Sequence, residues 1–237
     1  MIGVLGGMGP LATLDFFSKV IAYTHASRDE DHVPLLIQSD PMIPPRPAAI
    51  FTGAESPLPA LLAGRDRLVA AGAQALVMPC NTAHYWYPDL VRGCTVPFLS
   101  IVDACCSELD AIATPGDSVG IIATRATLAA QLFDAPLAQR GYRIMVPEDH
   151  AMETWVLPAI KQVKAGQAHD GGKLIEQAVQ RLLSHGASAV VLACTETPVA
   201  LDAVQSMHRG RCIDSTAALA RSTVAWWSLH GAPVQAA

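Results

Sequence analysis

A chain of 237 residues that is 51% apolar and only 16% charged has enough material to bury a sizeable core. A net charge of −5 with no basic run excludes nucleic-acid binding, because phosphate recognition needs clustered Lys and Arg. No apolar run approaches the roughly 18–20 residues of a membrane span, and no C-x-x-C pair offers a zinc site.

Met1-Ile2-Gly3-Val4-Leu5 reads as a strand, with no basic stretch before it and no cleavage site after it. That predicts no signal peptide and a cytoplasmic protein whose six cysteines stay reduced. Gly6-Gly7-Met8-Gly9-Pro10 then turns into a helix, with Pro10 at its first position and Leu11, Leu14, Phe17 and Ile21 at helical spacing. Such a turn lets backbone N–H groups approach an anion. It is not a dinucleotide fingerprint, since no glycine falls three residues after Gly9, and a tight strand-to-helix turn is the plainer reading. Val33–Gln38 is a second strand, 39–47 a proline-rich loop carrying Arg46, Leu58–Ala71 a helix, and Ala75–Met78 a third strand. Val96–Ile101 is a fourth strand, followed by a helix over Val102–Ala113.

Val119–Thr124 restarts the pattern, with a helix from about Thr127. Arg143–Pro147, Ala189–Leu192 and Arg211–Asp214 read as strands, and Glu176–Ser184 and Ser215–Leu229 as helices, the last with Ser215 as N-cap. Gly3 to Cys80 spans 77 residues and Gly120 to Cys194 spans 74. The segments 75–84 and 189–198 align without a gap, each an apolar strand ending on a cysteine and then hydrogen-bonding residues. In both, a glycine (Gly72, Gly186) lies eight residues before the cysteine. This reads as an internal duplication. Alternating strands and helices predict parallel sheets covered on both faces, with ligands beyond the carboxyl ends of the strands, where both cysteines lie.

Two opposed thiols suit removal and return of an amino acid's α-proton, one on each face of the carbon. Free thiols titrate near working pH, at about 8.5, and a helix N-terminus after each strand is expected to favour thiolate. Two buried core cysteines are the bland alternative for either residue alone; the matched spacing and polar followers favour function for the pair. Cys94, Cys105, Cys106 and Cys212 lack that setting and read as packing residues.

At Gly6–Thr13, Pro79-Cys80-Asn81-Thr82-Ala83-His84 and Cys194-Thr195-Glu196 the sequence resembles the aspartate/glutamate racemase family, the cofactor-independent amino-acid racemases, over nearly the whole chain. The resemblance implies an α/β fold of two similar doubly wound domains with parallel sheets, related by a pseudo-twofold, with the active site between them. It implies that the last helix returns to the first domain, giving 1–100 with 212–237 as one domain and 101–211 as the other, and that the protein is a homodimer. It implies acid/base roles for Cys80 and Cys194, and substrate contacts from Met8, Asn81, Thr82, Thr124, Thr127 and Thr195. Arg46 and Lys164 match basic residues that meet a side-chain carboxylate. Glu196, where glutamate racemases usually carry His, points to the aspartate-type branch. The chain departs from the family pattern at Pro45-Arg46-Pro47, Arg125 and Ala193; surface charge is the default for Arg125.

His84, four residues after Cys80, either tunes the thiol or only packs. Glu196 reads as structural support, and Trp86, Trp226 and Trp227 as core or interface. Lys161 and Lys164 sit in no pyridoxal motif, so activity is expected to need no pyridoxal phosphate, metal or nucleotide. The expected function is racemisation of aspartate or glutamate. The alternatives are glutamate racemase proper, a broad-specificity racemase, a one-sided lyase or isomerase of small dicarboxylates, and a non-catalytic diacid-binding protein.

Overall fold

In the computed structural model, which describes residues 1–231, the first run comprises β1 (Ile2–Gly6), α1 (Pro10–Tyr23), β2 (Leu35–Ser39), α2 (Arg46–Thr52), α3 (Leu58–Ala70), β3 (Ala75–Val77), α4 (Tyr87–Val91), β4 (Phe98–Leu99) and α5 (Ile101–Leu109). The second comprises β5 (Ser118–Ile122), α6 (Arg125–Ala129), α7 (Asp134–Gln139), β6 (Arg143–Met145), α8 (Asp149–Ala151), α9 (Leu157–Lys164), α10 (Ala168–Ser184), β7 (Ala187–Leu192), α11 (Glu196–Ala203) and β8 (Cys212–Asp214). The last helix is α12 (Ser215–His230). The strands form two four-stranded parallel sheets, β2-β1-β3-β4 and β6-β5-β7-β8. The order is the same in both, as a duplicated chain requires.

The chain divides into two compact units, Met1–Ala104 with the chain from Thr216 onward, and Cys105–Ser215. In the first unit β1 is buried along its whole length between β2 and β3, so its sequence Ile-Gly-Val-Leu-Gly needs no polar face. Gly7 ends that strand at φ +93°, and a Cβ there would lie 2.2 Å from the Asp40 backbone nitrogen. Only glycine fits. Thr13 Oγ1 accepts from Gly7 N–H at 2.8 Å and donates to Gly9 C=O at 3.2 Å, tying the turn to the first coil of α1.

In the second unit α10 buries Ile175, Ala178, Val179 and Leu182, one apolar stripe at helical period, against a core that includes Val190, Leu192 and Cys194. Removing a side chain such as Leu182 would cost about 2–5 kcal/mol. Gly172 brings α10 so close to α11 that a Cβ would stand 2.3 Å from the Ala200 carbonyl oxygen.

Several expectations need correction. Arg46 is not in a loop: it opens α2. The strand expected over 96–101 shrinks to Phe98–Leu99, because Pro97 has no N–H to give, although its carbonyl still accepts from Leu76 at 2.8 Å. The strand at 212–214, expected with the first domain, pairs with β7 in the second sheet. Arg211 anchors it there through the carbonyls of Ala187 and Ser188. The expected span 212–237 also runs into residues 232–237, which lie outside the described residues.

Candidate active site

Cys80 lies just past β3, buried, in a stretch that coils at once into a single 3-10 turn over Thr82–Trp86. Its Sγ lies 3.6 Å from the carbonyl oxygen of Met8, which belongs to the glycine turn after β1. Arg46 reaches the same carbonyl: its Nη2 donates to Met8 O at 3.1 Å, while Nη1 donates to Ile43 O and Pro44 O at 3.0 Å each. Met8, Arg46 and Cys80 therefore converge on one backbone oxygen. Asn81 is buried and Thr82 half-buried at the start of the 3-10 turn.

His84 is settled by its partners. Its ring is buried, with Nδ1 2.8 Å from the Cys80 carbonyl oxygen and Nε2 3.1 Å from the Ile101 N–H. A carbonyl only accepts and an amide N–H only donates, so the ring carries its proton on Nδ1 and is neutral. Burial drives its pKa down to about 4. The histidine clamps the end of β3 to the start of α5 through backbone groups rather than through the thiol.

In the second unit Cys194 lies just past β7, buried, and α11 begins two residues later at Glu196. The Cys194 thiol donates to Glu196 Oε2 at 3.0 Å, and Thr195 Oγ1 donates to the same oxygen at 3.3 Å. Lys164, the last residue of α9, places Nζ 3.5 Å from Glu196 Oε1. Burial, followed by the Glu196 carboxylate, holds the Cys194 pKa well above the usual thiol range. The Glu196 N–H and Lys164 pull weakly the other way. The expectation that a helix N-terminus favours thiolate is thus outweighed at Cys194, because the first residue of that helix is an acid aimed at the sulfur. The sequence offered the Cys-x-Glu spacing but not the direction of the carboxylate.

Thr124 caps α6, accepting from Thr127 N–H at 3.2 Å, and the two hydroxyls lie 3.1 Å apart. Arg125 beside them turns outward to Asp149 and Glu153. All six cysteines are free thiols. Cys105 and Cys106 are fully buried, and burial pushes Cys212 up to about 12. Among the described residues no helix is long and apolar enough to cross a membrane, and no cluster of His, Cys, Asp and Glu could hold a metal ion.

The two α/β units share one strand order, and each carries a buried cysteine just beyond its third-position strand. The model of the Asp/Glu/Hydantoin racemase family matches residues 5–223, and the chain belongs to that family. It is an amino-acid racemase, an isomerase. It is 31% identical over 228 residues to the broad specificity amino-acid racemase RacX of Bacillus subtilis, covering 94% of this chain and 96% of that protein. Among solved structures, it matches the Picrophilus torridus aspartate racemase at 30% identity and TM-score 0.82, covering 94% of this chain and 92% of that one. Glutamate racemase from Francisella tularensis in complex with D-glutamate shares the fold at 15% identity and TM-score 0.69, covering 96% of this chain and 81% of that one.

Proposed function

We propose that the chain racemises an acidic amino acid with no cofactor, using Cys80 and Cys194 as acid and base on opposite faces of the α-carbon, and that it works as a homodimer. The observation that carries the chemistry is the matched placement of the two cysteines, each just past the equivalent strand of a sheet with the same order. In one direction the Cys80 thiolate takes the α-proton and the C–H electron pair stays on carbon. The Cys194 S–H then protonates the other face, leaving its own electron pair on sulfur. The reverse direction exchanges the roles. Asn81, Thr82, Thr124, Thr127 and Thr195 supply hydrogen bonds to the α-carboxylate and amino group. Lys164 and Arg46 supply the positive charge that a side-chain carboxylate would meet.

A second reading, broad specificity, draws support from Arg46. It already gives three hydrogen bonds to backbone carbonyls, so less of it is left for a substrate. The similarity to RacX points the same way.

The test is NMR of each enantiomer of aspartate, glutamate and neutral amino acids in D₂O. Cys80→Ser and Cys194→Ser should each lose several orders of magnitude in racemisation, since groups that act as one unit fail together. Each variant retains one base, and the two should exchange the α-proton of opposite enantiomers. Interconversion near the wild-type rate in either variant would refute the opposed-thiol mechanism.

A further inference from the structure

Resting on that reading, we propose that Glu196 is a positioning residue that keeps Cys194 in its proton-carrying form, and that Lys164 is the counter-charge that limits its grip. Four features of the second unit carry this. The Cys194 thiol points at Glu196 Oε2 at 3.0 Å. Thr195 Oγ1 donates to the same oxygen, which fixes the carboxylate in place. Lys164 Nζ sits on the other oxygen, Oε1, at 3.5 Å. Finally, the Glu196 side chain is only 13% exposed whereas that of Lys164 is 60% exposed, so the acid is the fixed part and the lysine the movable one.

The physics is an ordinary charge balance. A carboxylate 3 Å from a sulfur disfavours a second negative charge there. Its oxygen also accepts the S–H, which rewards the protonated form. An ammonium on the far oxygen offsets part of the carboxylate's field. Glu196 and Lys164 are the charged groups that act on Cys194, while Lys161, one turn back on α9, is exposed. Free enzyme is thereby left with a proton on Cys194, ready to be given in the direction in which Cys80 is the base. A substrate carboxylate that drew Lys164 away from Glu196 would strengthen that arrangement.

The experiment measures iodoacetamide alkylation of Cys194 against pH, resolved by peptide mass spectrometry in the full-length protein. It needs no turnover, so it stands apart from whether the chain racemises a given substrate. Glu196→Gln should lower the midpoint of the Cys194 profile by about one pH unit or more, and Lys164→Met should raise it. Opposite shifts are required. A merely structural role would change the alkylation rate at every pH without moving the midpoint. Lys164 is exposed enough that its variant should fold even if the Glu196 variant is weakened. Unmoved midpoints, or midpoints that move in the same direction, would overturn the proposal. Glu196→Asp, which retains the charge, should keep the midpoint closer to wild type than Glu196→Gln does.

Discussion

At the scale of single residues, the two cysteines differ more in their neighbours than in their position. Cys80 faces a backbone carbonyl and Cys194 a carboxylate, although both follow a buried parallel strand. His84 carries the clearest pH prediction. Its folded pKa, about 4, lies below the ordinary histidine value of about 6.5. The unfolded chain therefore binds the proton first. The clamp's contribution is fully present above pH ~6.5 and is lost as pH falls toward 4, by no more than about 3 kcal/mol. Equilibrium denaturation between pH 4 and 7 should show this slope in the wild type and a flatter one in His84→Ala. At neutral pH that variant should also lose about 1–3 kcal/mol, from the Ile101 N–H and Cys80 carbonyl left without their ring partner. An unchanged slope would mean that the ring titrates normally.

At the scale of elements, close packing by glycine decides more than propensity does. Gly172→Val would drive side-chain carbon into the carbonyl of Ala200, where even a Cβ stands at 2.3 Å, and push α11 away from α10. Because α11 begins at Glu196, the cost should reach Cys194 as well as stability. A loss of about 2–4 kcal/mol should accompany a fall in activity. Full stability in Gly172→Val, read by thermal melting, would show that α11 can shift freely. The same glycines explain what was legible beforehand. The alternation of strands and helices, the duplication and the cysteine at each strand end could all be read, because a buried parallel strand is a short apolar run and repeats as one. The first half of α10 was not legible: Gly171-Gly172 looks like a break in a local reading, yet it marks the close approach to α9 and α11. Helix α9 was hidden by Pro158, preceded by a wide π-turn over Met152–Val156. The grip of Arg46 on three carbonyls was hidden too, because backbone acceptors leave no mark in composition.

At the scale of the whole molecule, α1 buries Ala12, Phe16 and Val20 and leaves Leu11, Leu14, Phe17 and Ile21 exposed at the same helical period. An apolar stripe of that kind on a surface helix suits a second copy of the chain. In the proposed homodimer, the double variant Leu11→Glu with Leu14→Glu should give a monomer of unchanged helix content, as read by light scattering and circular dichroism. A dimer that survived would remove α1 from its interface. The path of the chain between the two units has a consequence for synthesis. The first unit takes its opening strand from residue 2 but is completed only by α12, whose Ala217, Ala218, Leu219 and Ala220 are buried. The second unit is one unbroken stretch between them. On the ribosome, where domains fold as their residues emerge, the unit begun first is finished last. Until α12 arrives, the strand that leads to Met8 and the strand that leads to Cys80 belong to a fold still missing its last helix, while the unit bearing Cys194 has its whole sequence in hand.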